Sequence, residues 1–257
     1  MTKGTEISII IVNYNTASLT RACVESVIQE RGNRRWEIIV VDNGSESKDR
    51  EKLSAVSGIA SIIQNHTNVG YAKANNIGIR KSKGEYILLL NSDTIVGEGA
   101  IVGTLAILKQ SKTAGGATCR LVFPDGSIDP ACHRGFPTPW SALMYFLGLE
   151  RVFPKRKLFS GYHQWYKDMD SPHEIDSPSG AFFLIKREVI DSVGVLDEQF
   201  FMYAEDLDLA YRMKAKGYSI LYNPRHSVVH LKKQSGRLSA DQAVKKQTDI
   251  QFWQTMK

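Results

Sequence analysis

The chain has few cysteines and no long apolar run. Its three cysteines, Cys23, Cys119 and Cys132, are an odd number with no CxxC spacing, so the sequence supports neither a disulfide framework nor a zinc site. No apolar stretch approaches the roughly 18 residues that cross a bilayer, and the first residues lack the apolar core of a secretory signal. We therefore expect a cytoplasmic protein, or one attached peripherally to the inner face of the cell membrane.

Three common catalytic fingerprints are also absent. The first apolar run is followed by Asn13-Tyr14-Asn15-Thr16 and not by GxGxxG, which removes the main evidence for a nicotinamide dinucleotide fold. The sequence contains neither a P-loop, GxxxxGK(S/T), nor the GxSxG turn of a serine hydrolase. A net charge of +6 is modest, and no recognisable nucleic-acid motif accompanies it. We therefore expect no nucleic acid among the partners.

Apolar runs alternate with amphipathic stretches over the first 110 or so residues, a pattern typical of an α/β fold. The predicted strands are residues 7–12, 36–41, 59–63 and 86–90. The predicted helices are residues 16–29, 71–82 and 100–109. This order predicts a mixed, mostly parallel sheet flanked by helices, with ligands bound beyond the carboxyl ends of its strands. Polar residues 13–15, 42–45 and 91–93 follow three of these strands, so we expect them to line one crevice.

The second half of the chain is predicted to be less regular. Pro124-Asp125-Gly126 is typical of a hairpin turn, which makes the sheet mixed. Residues 137–175 are rich in aromatic and basic side chains and are predicted to be a small helical insertion. The later predictions are a strand at 182–185, helices at 186–193 and 205–216, and two strand-like runs at 219–222 and 227–230. Ser239-x-x-Gln242 resembles a capping box and predicts a C-terminal helix.

Acidic residues are concentrated at two places. Glu205, Asp206 and Asp208 open a predicted helix, where the helix dipole alone would favour acids. The second place is Asn91-Ser92-Asp93, which follows a strand and could equally be an ordinary turn. One carboxylate and a histidine such as His230 would suffice for Mn²⁺ or Mg²⁺ if a diphosphate supplied the other ligands. A histidine alone is more often structural.

Six segments, in this order, resemble the family 2 glycosyltransferases of GT-A fold and, within them, the bacterial rhamnosyltransferases. The segments are residues 9–15, 40–45, 68–78, 90–93, 179–181 and 205–209, with His230. The resemblance covers about residues 7–235 and implies one glycosyltransferase domain at 1–235. Its nucleotide-binding half would be 1–112 and its acceptor-binding half 113–235, with the insertion at about 137–175. Residues 236–257 would form a basic helical tail.

The resemblance implies an inverting, metal-dependent hexosyltransferase. It implies transfer of a sugar, foremost L-rhamnose from dTDP-L-rhamnose, to a hydroxyl of a cell-surface glycan or polyprenyl-linked acceptor. Asp206 would be the general base, and Glu205, Ser179 and Gly180 would contact the acceptor. Asp93 and His230 would bind Mn²⁺ or Mg²⁺. The residues implied to bind the nucleotide sugar are Val12, Tyr14, Asp42, Lys73, Asn75, Asn91, Ser92 and Asp93. Asp208 would mainly support its helix.

One departure and several alternatives remain. Asn91 stands where the usual DxD motif has its first aspartate, which predicts weaker cation binding or partly metal-independent transfer. The donor could instead be a UDP-linked glucosyl, galactosyl or N-acetylglucosaminyl group, or the chain could be a non-catalytic module that binds nucleotide sugars. A homodimer is compatible with the sequence. The aromatic and basic residues of 140–157, with the tail, could lie on an anionic membrane face or form a subdomain core with solvated lysines.

Overall fold

One nine-stranded sheet runs through residues 4–231, the part of the chain that this computed structural model describes. The strands are β1 Ile7–Asn13, β2 Trp36–Asp42, β3 Ser61–Gln64, β4 Tyr86–Asn91, β5 Thr94–Val96, β6 Ala114–Val122, β7 His173–Ile175, β8 Phe182–Lys186 and β9 Ser219–His230. The helices are α1 Ala17–Arg31, α2 Ser47–Leu53, α3 Tyr71–Lys81, α4 Ala100–Gln110, α5 Pro139–Phe146, α6 Leu149–Val152, α7 Arg187–Val193 and α8 Glu205–Ala215. The predicted C-terminal helix lies outside the described residues.

Strands β3, β2, β1 and β4 are neighbours in that order, and each pairing between two of these four strands is parallel. Six of the seven residues of β1 are buried, because helices cover both faces of a parallel sheet and leave no side to water. The register places Asn13 opposite Asp42, and Val12 opposite Asn91. The polar ends of three strands therefore lie side by side at one edge, as the sequence predicts.

Beyond β4 the sheet becomes mixed. Strand β8 runs antiparallel to both β4 and β6, while β9 runs parallel to β6 and antiparallel to β5 and β7. The turn at Pro124-Asp125-Gly126 is present, closed by the Phe123 amide donating to the Ser127 carbonyl at 2.8 Å. The predicted α/β class, with a mixed sheet flanked by helices, is confirmed. No helix among residues 4–231 is both long enough and apolar enough to cross a membrane.

The two strand-like runs predicted at 219–222 and 227–230 are in fact one strand, β9. Its register against β6 skips from Asn223, opposite Cys119, to Ser227, opposite Arg120. Pro224 lies in the skipped stretch and has no backbone N–H to donate, so the ladder is interrupted there without ending the strand. Strand β9 then continues to His230, which pairs with Thr94. The strand thereby carries a histidine to the residue beside Asp93.

Asn76 on α3 ties the parallel half of the fold to the segment that leads into α8. Its side chain is fully buried, and its amide nitrogen donates to the Leu196 carbonyl at 2.8 Å and to Glu198 Oε1 at 3.0 Å. Its amide oxygen accepts the Leu196 N–H at 3.0 Å. One side chain therefore satisfies both backbone groups of a buried residue that lies 120 positions away in the sequence.

We expect Asn76→Ala to lower the free energy of unfolding by about 1–3 kcal/mol, because it leaves the buried N–H and C=O of Leu196 without their hydrogen-bond partner. Urea denaturation should show a lower midpoint with an unchanged slope. Lys81→Ala, an exposed change on the same helix, serves as the control and should stay within about 0.5 kcal/mol of the parent. Equal midpoints for the two variants would contradict this role of Asn76.

Candidate active site

A single buried amide, that of Asn13, holds the carboxyl ends of β1 and β2 together. Its nitrogen lies 3.0 Å from each of three acceptors, on Asp42, Ser45 and Asp49. Its oxygen accepts the Thr20 hydroxyl at 2.7 Å. Because Thr20 is on α1 and Asp49 is on α2, the amide fixes both helices against the strand ends. This cluster forms one wall of the crevice.

The residues expected to contact a nucleotide differ in their accessibility. Lys73 is exposed, and Val12 and Tyr14 are partly exposed, so a ligand can reach them. Asp42 is fully buried and Asn75 is 1% exposed. Asp42 Oδ2 and Asn75 Oδ1 have no hydrogen-bond partner within the protein. Tyr14 and Lys73 are therefore open to a ligand, whereas Asp42 and Asn75 each keep one buried oxygen without a hydrogen-bond partner in the protein.

His230 lies between two carboxylates at the end of β9. Its Nδ1 donates to Asp129 Oδ2 at 2.8 Å, and its Nε2 lies 3.3 Å from Asp93 Oδ1. Burial lowers the pKa of His230, but the hydrogen bonds and negative charges of the two aspartates outweigh it and raise that pKa to about 9. The expected pair Asp93 and His230 is thus brought together. Asp129 was not anticipated from the sequence.

This arrangement fits a divalent cation with few protein ligands. A metal-binding histidine commonly donates its other ring N–H to a carboxylate, as His230 does to Asp129. Within residues 4–231 no group of three or more His, Cys, Asp or Glu side chains is placed to hold a metal ion. A cation would have to replace the Nε2 proton that His230 carries at its raised pKa, after which Asp93 and Nε2 would contribute two ligands and phosphates and water the rest.

The Tyr71 hydroxyl connects the two acidic regions. It lies 2.8 Å from Asn91 Oδ1 and 3.2 Å from the Gly180 carbonyl oxygen. The Gly180 N–H in turn donates to Asp206 Oδ2 at 3.0 Å. Burial raises the pKa of Tyr71 well above its ordinary value, and the charges of the nearby acids raise it further, so the phenol remains a hydrogen-bond donor. Any Cβ at position 180 would lie 3.3 Å from that hydroxyl, which favours glycine there.

Two serines of the predicted site, Ser92 and Ser179, are neighbours in sequence of Asn91 and Gly180, the two residues that the Tyr71 hydroxyl contacts. Ser92 Oγ is 3.2 Å from Thr16 Oγ1, and so links the end of β4 to the start of α1. Ser179 Oγ accepts the Ala181 N–H at 3.2 Å and shapes the turn before β8. Both side chains therefore order the loops that carry Asn91 and Gly180.

Asp206 is held by a buried arginine that the sequence did not indicate. Arg134 Nη2 donates to Asp206 Oδ2 at 2.7 Å and to the Pro178 carbonyl at 2.6 Å. Asp206 Oδ1 accepts the Leu207 N–H at 2.7 Å. Both charged side chains are about nine-tenths buried, at 12% exposure each. Arg134 thus supplies the positive charge that allows neighbouring acids to be buried at one helix end.

The three acids of α8 have different environments. Asp206 lies on the buried face of the helix with Leu209 and Met213, whereas Asp208 faces Arg212 at 2.7 Å. Arg212 also donates to the carbonyl of Val195 at 2.9 Å. Asp208 therefore anchors the helix to the preceding segment, as a supporting role predicts.

The backbone before α8 is strained. Tyr203 and Ala204 have φ values of 73° and 72°, in the left-handed region that costs a non-glycine residue about 1–2 kcal/mol. The preceding Phe201 carbonyl accepts the Tyr71 N–H at 2.7 Å, and a Cβ on Gly70 would lie 2.8 Å from that oxygen. After this turn α8 begins at Glu205, whose side chain is buried. Strain of this kind is typical of functional sites.

Glu205 is only 5% exposed, and its Oε2 has no hydrogen-bond partner within the protein. Burial raises the pKa of Glu205, and the negative charge of Asp206 raises it further, while Arg134 acts in the opposite direction. The folded state therefore favours the protonated carboxyl. Its contribution to stability is complete below the ordinary glutamate pKa of 4.5 and is lost as the pH rises through the raised value.

We expect Glu205→Gln to remove this pH dependence, because glutamine resembles the neutral acid and cannot ionise. Relative to the parent, the variant should gain more than about 1 kcal/mol of unfolding free energy between pH 5 and pH 9. Chemical denaturation across that range measures the difference. Glu85→Gln, at an exposed position, is the control and should follow the parent profile. Parallel profiles for the parent and Glu205→Gln would contradict the raised pKa.

Comparison with solved structures identifies the fold. The chain superposes on the mannosyltransferase PcManGT from Pyrobaculum calidifontis, in complex with GDP-Man and Mn²⁺, with a TM-score of 0.62 and 18% identity. The match covers 89% of this chain and 57% of that one. It also superposes on GalNAc-T7 with UDP, GalNAc and Mn²⁺, with a TM-score of 0.64 and 20% identity over 90% of this chain and 44% of the other. The expected GT-A fold is thereby confirmed.

The chain is also similar in sequence to curated proteins that are named as rhamnosyltransferases. The chain is 28% identical over 211 residues to the N-acetylglucosaminyl-diphospho-decaprenol L-rhamnosyltransferase of Mycobacterium tuberculosis (strain ATCC 25618 / H37Rv), covering 77% of this chain and 67% of that protein. It is 23% identical over 231 residues to the rhamnosyltransferase WbbL of Escherichia coli (strain K12), covering 86% and 82%. It spans only 24% and 18% of two longer relatives, from Sinorhizobium fredii and Myxococcus xanthus. Because the model of glycosyl transferase family 2 matches residues 8–194, the chain belongs to that family.

Proposed function

We propose that the protein is an inverting, metal-dependent hexosyltransferase that moves a sugar from a nucleotide diphosphate to an acceptor hydroxyl. The observation that carries this proposal is the hydrogen-bonded path from Asn91 through Tyr71 and Gly180 to Asp206. It joins the strand end assigned to the donor and the carboxylate assigned as the base within one crevice. The two tasks of the reaction, activation of the acceptor and departure of the diphosphate, then fall on opposite sides of Tyr71.

Asp206 is the proposed general base. Its carboxylate accepts three hydrogen bonds, from Arg134, Gly180 and Leu207, and a carboxylate has room for about four. An acceptor hydroxyl can occupy the remaining position. In the reaction the acceptor oxygen bonds to the anomeric carbon, the bond from that carbon to the diphosphate oxygen breaks, and the hydroxyl proton passes to Asp206. Attack opposite the leaving group inverts the anomeric centre. Glu205, beside the base, would orient the acceptor.

On the donor side, Tyr14 and Lys73 would bind the nucleotide and its phosphates at the crevice surface. The unpaired oxygens of Asp42 and Asn75 would accept hydrogen bonds from base or ribose groups that enter behind them. Asp93 and His230 would hold Mn²⁺ or Mg²⁺, which when bound stabilises the negative charge of the departing diphosphate. The named complexes of PcManGT and GalNAc-T7 with Mn²⁺ support a divalent cation.

We propose dTDP-L-rhamnose as the donor and a cell-surface glycan or polyprenyl-linked glycan as the acceptor. The support comes from the two named rhamnosyltransferases of Mycobacterium tuberculosis and Escherichia coli, the first of which takes its name from a diphospho-decaprenol acceptor. The relative from Myxococcus xanthus is named for O-antigen biosynthesis, which also concerns a surface polysaccharide. Together these names support a role in cell wall or polysaccharide biosynthesis.

We expect Asp206→Asn to lower the rate of sugar transfer about 10²- to 10⁴-fold, because the amide cannot take the acceptor proton. Donor affinity, measured by thermal shift, should change little. Asp208→Asn is the matched control, since it alters an acid of the same helix turn that pairs with Arg212, and it should retain most activity.

The thermal-shift measurement also tests which nucleotide sugar is the donor. With Mn²⁺ or Mg²⁺ present, dTDP-L-rhamnose should stabilise the protein more than the UDP-linked sugars do. A larger shift with a UDP sugar would overturn the choice of rhamnose but leave the transfer reaction standing. Binding without turnover over a panel of glycan acceptors would instead indicate a non-catalytic module.

We expect Arg134→Met to reduce transfer by at least tenfold, because it removes the cation that orients Asp206 and leaves a buried acid unpaired. The loss should fall mainly on kcat and should shift the pH profile of kcat. Arg134→Lys keeps the charge but offers three N–H donors on one nitrogen in place of five on a planar guanidinium, and it should recover part of the rate. Arg120→Met, which breaks a pair with the exposed Asp170, is the control. An unchanged pH profile in Arg134→Met would rule out this positioning role.

A further inference from the structure

Large apolar side chains are exposed almost entirely in one region of the chain. Eight of the ten such side chains in the described residues lie between positions 140 and 158, which we call the apolar surface 140–158. Phe146 is 82% exposed, Val152 65%, Leu147 62% and Leu158 60%. The remaining four are Trp140, Leu143, Tyr145 and Phe153. Contiguous exposed apolar groups on this scale commonly mark an interaction site.

Helix α5 presents its apolar face outward. Thr138 and Ser141 form a capping box that starts the helix, and Ser141 is buried. The exposed Trp140, Leu143 and Leu147 recur at i, i+3 and i+7 and so share one face. A helix on the surface of a soluble protein normally buries its apolar side chains and exposes polar ones. Met144 and Ser141 are the buried residues of α5, so the exposed apolar side chains are additional to those that pack inside the insertion.

The turn after α6 lies against α5 and extends the same surface. The Trp140 indole N–H donates to the Leu158 carbonyl at 2.8 Å, and Phe153 stacks on Phe159 with ring centroids 5.1 Å apart. Residues 151–158 are all exposed. Two chain segments thus form one amphipathic surface held by defined contacts.

The exposed charged side chains of the segment 140–158 are all basic. Arg151, Lys155, Arg156 and Lys157 are all exposed. The one acid between positions 137 and 160 is Glu150, which is 3% exposed and accepts a hydrogen bond from His163 Nδ1 at 2.8 Å. Four cations therefore accompany the exposed aromatic and aliphatic groups of this segment, and from outside the segment the exposed Asp168 interacts electrostatically with one of them, Lys155.

We propose that the apolar surface 140–158 binds the face of an anionic lipid bilayer. Exposed aromatic and aliphatic groups would enter the boundary between headgroups and acyl chains, while the four cations would meet the anionic headgroups. A second copy of the chain fits less well, because a symmetric contact would bring the same cations together. The segment 232–257 is itself rich in Lys and Arg, so it lacks charge complementarity with this surface.

Binding would place the candidate site close to the bilayer. The segment that leads into α5 begins directly after Arg134, and the Gly135 N–H donates to the Tyr162 carbonyl at 2.7 Å. Phe136 stacks edge-on against Tyr211 of α8, with ring centroids 5.6 Å apart. The proposed lipid contact and Asp206 are therefore joined by short, packed connections. The inference rests on exposure and charge alone and does not require the transfer reaction.

The test is flotation of the full chain with phosphatidylcholine vesicles, with and without 30 mol% phosphatidylglycerol. We expect binding to the anionic vesicles and at least a tenfold loss in Phe146→Ser/Leu147→Ser and in Lys155→Glu/Arg156→Glu/Lys157→Glu. Binding should also weaken at high salt. Trp140 emission should shift to the blue on binding, and Trp140→Phe should lose that change while still binding.

Matched controls carry the same changes elsewhere. Ile59→Ser alters an exposed apolar side chain outside the surface, and Lys48→Glu/Lys52→Glu/Lys81→Glu reverses three exposed charges on other helices. Both should bind like the parent. Vesicle binding unchanged by the surface variants would overturn the proposal. So would a dimer, seen by light scattering of the parent, that Phe146→Ser/Leu147→Ser dissociates, since the surface would then contact a second copy.

Discussion

The common register of β1 with β2 and β4 is the constraint on which the rest of this molecule depends. Backbone hydrogen bonds align Asn13 with Asp42 and Val12 with Asn91, so three polar strand ends meet at one edge. A one-residue slip would turn every side chain of β1 to the opposite face. The buried amide of Asn13 can reach Asp42 and Ser45 only in this register. The sheet therefore fixes the donor side of the crevice before any ligand binds.

The local pattern of the sequence predicted most of this framework, because period and turn chemistry are local properties. It could not predict the partners of the reactive groups. Arg134 reaches Asp206 across 72 positions, Asp129 reaches His230 across 101, and Tyr71 reaches Gly180 across 109. No spacing rule links such residues, and only the folded sheet brings them together. The same limit explains Pro224, whose position suggested a break between two strands that is in fact an irregularity within one.

Residue type also says little about which way a polar group faces. Asp42 and Asn75 were expected at the nucleotide, yet both are almost completely buried, whereas Lys73 on the same helix as Asn75 is exposed. At the start of α8, the sequence places three acids within one helical turn, where the helix dipole alone would favour them. The structure separates them by partner: Arg134 for Asp206, Arg212 for Asp208 and no partner for Glu205 Oε2. Different partners give chemically different acids within a single helical turn.

The composition of residues 140–157 was compatible with either a small core or a surface that binds lipid, because both use aromatic and aliphatic groups at helical spacing. Burial of the opposite face decides between them. In a core, the apolar stripe of α5 would face inward and its polar residues outward. Here α5 buries only Ser141 and Met144, while Trp140, Leu143 and Phe146 are exposed. A buried carboxylate paired with His163 stabilises the inside of the insertion, which leaves the apolar groups free to bind outside it. The exposure of these large apolar side chains, and not the composition, is therefore the physical evidence for a partner.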